Sequence, residues 1–239
     1  MEKLVYAVWR RPDETPIVLR DRLMHQVASE LKTLGAASME ISAADLGAEE
    51  AGLPEYGRMR PLPDGLISFW LTSAYRRAPL EDALTQTTGR IAGYLVAEGT
   101  ILPNRSHPAA VGQRVWGFSQ VAFLRLKVGM AAEAWRRHWV DVQTQVAIET
   151  QSTFRYIQNV VVEALTPAAP AWVGIVEESF PMAALRDQRL YFDAVDSEER
   201  FIRNAARMKE SVDAFLDPDG VDLIRTSLYP MDEKLEPGL

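Results

Sequence analysis

Two adjacent glutamates, Glu177 and Glu178, follow the apolar segment Trp172–Val176. If that segment is a β-strand, alternation points the two carboxyl groups to opposite faces of the sheet. A buried carboxyl group has a raised pKa and can exchange a proton with a ligand near neutral pH. Glu178 is therefore a candidate catalytic residue. Two solvated carboxylates at a strand end are the alternative interpretation.

His138 is the second candidate for proton transfer. Asp141 follows it three residues later, on the same side of a predicted helix, where a carboxylate can orient the imidazole. The neighbouring Arg136 and Arg137 favour the alternative of a solvated surface pair.

Four further residues are candidates for substrate binding: Trp139, Gln143, Tyr156 and Asn159. Trp139 and Gln143 are four residues apart and share one helix face, so that a polar amide ends an apolar stripe. If Gln143 is buried, its amide must bond either to a ligand or to the backbone. Tyr156 and Asn159 alternate onto opposite faces of an extended segment, and both faces carry polar groups, as the wall of a polar-lined pocket does.

The elements that carry these residues belong to the second copy of an internal repeat. Without gaps, residues 4–23 align with residues 120–139 at a constant offset of 116, which places Leu19 on Trp135 and Leu23 on Trp139. A repeat about half the chain long indicates duplication of a whole folding unit.

Each copy has the pattern β-α-β-β-α-β, which is the ferredoxin-like unit. Such a sheet leaves one face bare, so we predict an α+β fold in which two fused ferredoxin-like repeats pack sheet to sheet as an α/β barrel. The barrel interior is then the expected pocket. The predicted bounds are 1–99 for the first repeat, 100–117 for a linker, 118–230 for the second repeat and 231–239 for a tail.

The second repeat resembles the ethyl tert-butyl ether degradation (EthD) family of the dimeric α/β-barrel superfamily. The resemblance rests on the segments Glu133–Trp139, Phe154–Asn159 and Gly174–Glu177 and covers most of this repeat. It implies a barrel fold with a pocket, in a superfamily that includes cofactor-free monooxygenases, lactone isomerases, cyclases and haem-degrading proteins. The family's histidine falls at position 143, where this chain has Gln143.

Composition argues against several classes of function. A net charge of −7 argues against general nucleic-acid binding, and the chain has no block of basic residues for attachment to a membrane. The absence of cysteine excludes thiolate catalysis and iron–sulfur clusters. Without a signal peptide or a long apolar run, we expect a cytoplasmic protein.

The three histidines, His25, His107 and His138, lack the spacing of metal ligands, so we expect no metal site built from side chains alone and no cofactor. Haem is the alternative, with His25 or His138 as the axial ligand.

These observations predict a small-molecule-binding protein. The first hypothesis is a cofactor-independent isomerase, cyclase, lyase or monooxygenase that acts on a small apolar organic compound. The alternative is a non-catalytic ligand-binding or accessory protein of a catabolic pathway. The expected partner is the organic ligand, and a homodimer is a further option.

Overall fold

Eight antiparallel β-strands close into one barrel in the computed structural model, which describes residues 1–232. The strands are β1 Glu2–Trp9, β2 Ala37–Ala43, β3 Gly65–Leu71, β4 Arg90–Leu102, β5 Phe118–Leu124, β6 Arg155–Ala164, β7 Gly174–Phe180 and β8 Val221–Pro230. Their order around the barrel is β1-β3-β2-β8-β5-β7-β6-β4. The predicted α+β barrel is therefore confirmed, whereas residues 233–239 of the predicted tail lie outside the described residues.

Helices pack against the outside of the barrel. The α-helices are α1 Pro16–Arg22, α2 Ala28–Thr33, α3 Ala78–Thr87, α4 Ala132–His138, α5 Thr144–Thr150, α6 Gln188–Tyr191 and α7 Glu198–Phe215. Short 3-10 turns occupy Gly47–Glu49, Ala74–Arg76 and Met182–Leu185. None of the helices in the described part of the chain is long and apolar enough to cross a membrane.

One π-helical turn interrupts the first helical segment of each half. Leu23–Val27 joins α1 to α2, and Trp139–Gln143 joins α4 to α5, so the two turns lie at the same 116-residue offset as the sequence repeat. A π-helical turn re-aims the side chains that follow it and is common at functional sites. The second of these turns carries two of the predicted binding residues.

Along the barrel, β4-β1-β3-β2 come from the first half of the chain and β8-β5-β7-β6 from the second, and we call these the first and the second sheet. β2 pairs with β8 and β4 pairs with β6, so backbone hydrogen bonds close the barrel at both seams. The predicted sheet-to-sheet contact is therefore made by strand pairing at the edges, while the two inner faces enclose a common interior. Closure also removes every free sheet edge, which would otherwise be open to aggregation.

Large side chains fill one end of the barrel interior, which corrects the expectation that the interior is the pocket. The rings of Phe123 and Trp172 stack with their centroids 4.1 Å apart, and Tyr94 packs against Trp172 at 5.6 Å. Val5 and Ile224, from opposite halves, belong to the same buried cluster. These three rings and the branched side chains fill this end, so a ligand must bind elsewhere.

A buried charged network occupies the other part of the interior and joins the two halves. The Nζ atom of Lys3, on β1, lies 2.5 Å from a carboxylate oxygen of Glu98 and 3.4 Å from one of Glu177. It also donates a hydrogen bond of 2.9 Å to the Oδ1 atom of Asn159. Lys3 therefore links the first strand of the chain to β6 and β7 of the second half.

Arg155 completes this network on the same inner face. Its Nη2 atom lies 2.6 Å from Glu40 and 3.5 Å from Glu177. Burial alone would raise the pKa of Glu177, but the charges of Lys3 and Arg155 outweigh burial and lower that pKa to about 2. Removing one member of such a network leaves a buried charge without its partner and lowers the free energy of unfolding by about 3–5 kcal/mol.

Cleavage between Arg105 and Ser106, in the loop between β4 and β5, should leave two fragments that depend on one another. Separation would open both seams and divide the charged network, since Lys3 and Glu177 would be on different fragments. We expect each fragment to be unfolded or aggregated alone and the mixture to recover the barrel, as measured by far-UV circular dichroism and size-exclusion chromatography. The intact protein nicked after folding serves as the control. Two fragments that are each folded and monomeric would contradict this prediction.

Candidate functional site

A cavity of about 510 Å³ lies between the outer face of the second sheet and the helices that cover it. Its wall is mainly apolar and aromatic, with residues from β5–β8, from the α4–α5 helix, and from α6 and α7. The polar side chains that line it are Tyr56, Gln120, Gln143, Gln151, Tyr156, Glu178, Gln188, Tyr191 and Arg225. A largely apolar cavity with a few polar groups is typical of a small-molecule site.

Four polar side chains form a row across the floor of this cavity. The strand register pairs Arg225 of β8 with Gln120 of β5, Gln120 with Glu178 of β7, and Glu178 with Tyr156 of β6. All four line the cavity, because alternation places them on the outer face of the sheet. A bound molecule therefore meets four hydrogen-bonding groups side by side.

The corresponding row of the first half is apolar. There the register pairs Leu4 of β1 with both Phe69 of β3 and Leu95 of β4, and Leu4 is the residue that precedes Gln120 by 116 positions. Leu4 and Phe69 are fully buried and belong to the core under α1–α3. The fold is thus compatible with apolar side chains at these positions, so polar side chains in the second half need another reason.

At one pair of matching positions, the first half has a large ring where the second half has a small side chain at the cavity. Ala122 lines the cavity, and Tyr6 is its counterpart in the first half. The Tyr6 ring is fully buried and stacks on Phe69 with centroids 5.6 Å apart. The first half therefore fills the space that the small side chain of Ala122 leaves open.

Glu178 is a buried carboxyl group held by neutral hydrogen-bonding partners. The Nε2 atom of Gln120 donates to its Oε2 atom at 2.8 Å and lies 3.1 Å from the hydroxyl of Tyr191. Gln151 also donates to that hydroxyl, at 2.8 Å. Burial raises the pKa of Glu178 to about 7, although the hydrogen bond from Gln120 opposes the shift. Glu178 can therefore take or give a proton at neutral pH.

Two buried amide oxygens in the cavity wall have no hydrogen-bond partner within residues 1–232: the Oε1 atoms of Gln143 and Gln151. Each residue is only 8% exposed. The Nε2 atom of Gln143 is occupied by the sulfur of Met208 at 3.1 Å. An unpaired buried acceptor costs about 1–3 kcal/mol, and a hydroxyl or N–H group of a ligand would satisfy it.

Trp139 forms one wall of the cavity, and a glycine makes room for it. The indole of Trp139 lies on β7 at Gly174, where an added Cβ would come within 2.6 Å of the ring. Trp135 packs beside it with ring centroids 5.2 Å apart. The buried ring thus has a fixed position, as a wall for a flat ligand needs.

The structure brings four of the six predicted site residues to this cavity and separates the other two. Glu178, Tyr156, Gln143 and Trp139 line it. Asn159 points into the barrel instead, because it alternates with Gln158 along β6, and its amide donates to Glu177 at 3.0 Å. Asn159 therefore belongs to the charged network of the barrel interior, and its geometry gives no support to the predicted role in substrate binding.

His138 also lies away from the cavity. It precedes Trp139 on the helix and faces α7, where its Nε2 atom lies 3.0 Å from the carbonyl oxygen of Ser211. Its ring stacks on Phe215 with centroids 5.3 Å apart. The structure therefore gives His138 a packing position between two helices, and the catalytic role that we predicted for it lacks support from the geometry.

Six polar residues of the cavity escaped the sequence analysis: Tyr56, Gln120, Gln151, Gln188, Tyr191 and Arg225. Gln120 could have been found, because the repeat alignment sets it on an apolar residue of the first half. Tyr191 lies on the short helix α6, and Arg225 is brought in by strand register, so neither has a local signal.

The lining of this site contains one carboxyl group, that of Glu178, and no imidazole. Within residues 1–232 no three His, Asp or Glu side chains are arranged to hold a metal ion. None of the three histidines of the chain lines the cavity. The residues around it therefore offer no imidazole as an axial haem ligand.

A second cavity, of about 680 Å³, lies among the loops near the end of β1 and the start of β8, and it shares Leu223 and Arg225 with the first cavity. Four of its seven charged side chains are paired with one another: Arg10 with Asp64, and Arg60 with Glu55 at 3.0 Å. Paired surface charges are the ordinary state of loop residues and contribute little. The cavity that contains Glu178 is therefore the better candidate.

Comparison with known proteins supports the fold. No family model and no curated protein matches the chain. Among solved structures, an anthrone oxidase-like protein has a TM-score of 0.56 at 11% identity, covering 100% of this chain and 96% of its own. A candidate monooxygenase from Fusobacterium nucleatum subsp. nucleatum has a TM-score of 0.50 at 8% identity, covering 100% and 95%. These two structures therefore support the fold of the chain, a closed α+β barrel of eight strands.

Replacing Glu178 with glutamine should stabilise the protein at alkaline pH. The pKa of Glu178 is raised from 4.5 to about 7 in the fold, so the unfolded chain loses this proton first and stability falls as pH rises through that interval. We expect Glu178→Gln to raise the free energy of unfolding by on the order of 3 kcal/mol above about pH 8 and to leave it almost unchanged at pH 4. Urea denaturation at the two pH values measures this difference.

Glu177→Gln is the matched control, one residue away on the opposite face. The pKa of Glu177 is lowered from 4.5 to about 2, so its carboxylate contributes stability above pH 4.5 that is lost as pH falls toward 2. This variant should therefore lose about 3–5 kcal/mol at pH 7. If both substitutions changed the free energy of unfolding in the same direction at alkaline pH, the assignment of the two residues to opposite faces would be contradicted.

Proposed function

We propose that this protein binds a small, largely apolar organic compound in the cavity of the second half, and that Glu178 transfers a proton on that compound without a cofactor. One observation carries the proposal: a buried carboxyl group with a pKa of about 7 faces a cavity, in a row whose counterpart in the first half is apolar. Strongly shifted carboxyl groups in cavities are concentrated at catalytic sites.

The surrounding side chains support proton transfer. Gln120 fixes the carboxyl group of Glu178, and Tyr191 accepts hydrogen bonds from Gln120 and Gln151, which leaves its own hydroxyl proton to donate to a ligand. The free amide oxygen of Gln143 accepts a hydroxyl or N–H of the ligand. A compound positioned in this way can lose an acidic C–H or O–H proton to the carboxylate.

The resulting carbanion or phenolate leads to isomerisation, cyclisation or elimination, and an electron-rich anion of this type can also react with dioxygen. The solved structures with a similar fold are described as an anthrone oxidase-like protein and a candidate monooxygenase, which agrees with oxygenation as one of these outcomes.

We also propose that the chain is a tandem, EthD-like form of the barrel, with residues 1–99 and 118–230 as its two ferredoxin-like repeats. The matched strand registers and the two π-helical turns at one offset support this interpretation.

The alternative is a binding or accessory protein without turnover. It is favoured by Gln143, which stands where the EthD resemblance places a histidine. Both candidates use the same cavity, so ligand identification comes first. Mass spectrometry of compounds that co-purify with the protein would supply the ligand and its chemical class.

Turnover of that ligand should then depend on Glu178. We expect Glu178→Gln to lower kcat about 10²–10⁴-fold while the ligand still binds, since general acid–base groups contribute that range. In the wild type, kcat/KM should change with a pKa near 7. Glu133→Gln, which alters an exposed carboxylate away from the cavity, is the control. Binding without turnover in the wild type would favour the accessory protein instead.

Gln143→Val should separate binding from folding. Val27 occupies the matching position in the first half, and the amide oxygen of Gln143 is unpaired in the protein, so we expect stability to stay within about 1.5 kcal/mol. Affinity for the co-purified ligand should fall about tenfold, which is the loss of one hydrogen bond. Calorimetric titration measures the affinity, and an unchanged value would remove Gln143 from the site.

A further inference from the structure

Arg225 is the cation of the cavity row, and the protein leaves most of its guanidinium unused. Its Nη1 atom donates to the backbone carbonyl of Pro54 at 3.1 Å. Within residues 1–232 it forms no ion pair, although its charge lowers the pKa of Glu50, a half-buried carboxyl whose pKa burial raises by a larger amount. A half-buried arginine with a free edge on a cavity is a receptor for an anion.

The first half shows that the fold does not need this arginine. Leu95 stands opposite Leu4 on β4, as Arg225 stands opposite Gln120 on β8. A leucine in this position packs in the core, whereas arginine introduces a charge that must be desolvated or paired. The arginine is therefore best explained by what enters the cavity.

The row also sets the distance between the anion and the reacting group. Gln120 lies between Arg225 and Glu178, so the Cα atoms of the latter two are two strand spacings apart, or about 10 Å. Both side chains line the same cavity, although Arg225 also borders the second cavity among the loops, so a ligand of one to three fused rings can reach both.

We propose that the cavity takes a flat, aromatic carboxylic acid whose carboxylate pairs with Arg225 while its ring system lies against Trp139 and carries its reacting proton toward Glu178. This inference rests on the proposed function and specifies its substrate class. A planar guanidinium matches a carboxylate with two parallel hydrogen bonds, so Arg225 would both bind and orient the ligand. Burial keeps Glu178 partly protonated at neutral pH, so its carboxyl group does not exclude an anion.

Loop anchoring is the competing role for Arg225, and the chain offers a matched control for it. Arg186 donates to the carbonyls of Glu49 and Ala51, at 3.1 and 2.8 Å, and so anchors the same loop as Arg225 does at Pro54. Arg186 is outside the lining of the cavity. A loss caused by loop displacement should appear in both variants, whereas a loss of anion recognition should appear only at Arg225.

The test is calorimetric titration of the full chain with benzoate, 2-naphthoate and anthracene-2-carboxylate, each compared with its uncharged primary amide. At least one carboxylate should bind the wild type tenfold or more tightly than its amide. Arg225→Leu, which copies Leu95, and Arg225→Gln, which keeps a donor for Pro54, should abolish this preference. Arg186→Leu should retain it.

Equal affinity for carboxylate and amide in the wild type would overturn the anion inference and leave ligand binding by the cavity intact. Equal loss of the preference in Arg186→Leu would assign Arg225 to loop anchoring and also overturn it. Failure of all three pairs to bind would exclude aromatic carboxylates, and the proposed function would still be decided separately by the co-purified ligand and Glu178→Gln.

Discussion

The ion pair between Lys3 and Glu177 is the interaction on which the arrangement of this protein depends. It joins the first strand of the chain to the seventh across the barrel interior, and both partners are almost fully buried. Each charge also has a further partner, Glu98 for Lys3 and Arg155 for Glu177, as burial of an ion requires, because unpaired burial costs several kcal/mol. Only the closed barrel, with all eight strands in place, brings the two together.

A consequence of that network is the location of the candidate site. Charged groups fill one part of the interior, and the rings of Tyr94, Phe123 and Trp172 fill the other. The space that remains for a ligand is therefore on the outer face of the second sheet, beneath the helices. There the two halves differ: Tyr6 closes the space in the first half, and Ala122 leaves it open in the second.

Alternation along β7 connects the two regions. Glu177 and Glu178 are neighbours in sequence, yet one carboxyl group lies among cations and the other among neutral amides. Their pKa values are therefore shifted in opposite directions. The period-2 geometry of a strand is sufficient to predict that they separate. Which of them meets cations depends on Lys3, 174 residues away, and local sequence carries no signal for that contact.

The same distinction between local and long-range information explains the other outcomes. The repeat and its periodicity predicted the α+β barrel and the helix face that carries Trp139 and Gln143 toward the cavity. The expectation of an interior pocket was wrong because the sizes of rings from distant strands decide what fits there. His138 was misplaced because the packing of α7, absent from any local pattern, determines which side of its helix is covered.

Covalent linkage of the two halves has a further consequence, which concerns symmetry. Two identical subunits related by a twofold axis would bury two copies of every interior charge, and a residue near the axis would face its own copy. In this chain the position that corresponds to Lys3 is Ser119, whose hydroxyl bonds to that of Ser179 at 2.7 Å. One asymmetric set of charges therefore suffices for the whole interior. Because the two halves need not be identical, the outer face of the first sheet can be packed as core while the outer face of the second forms a binding site.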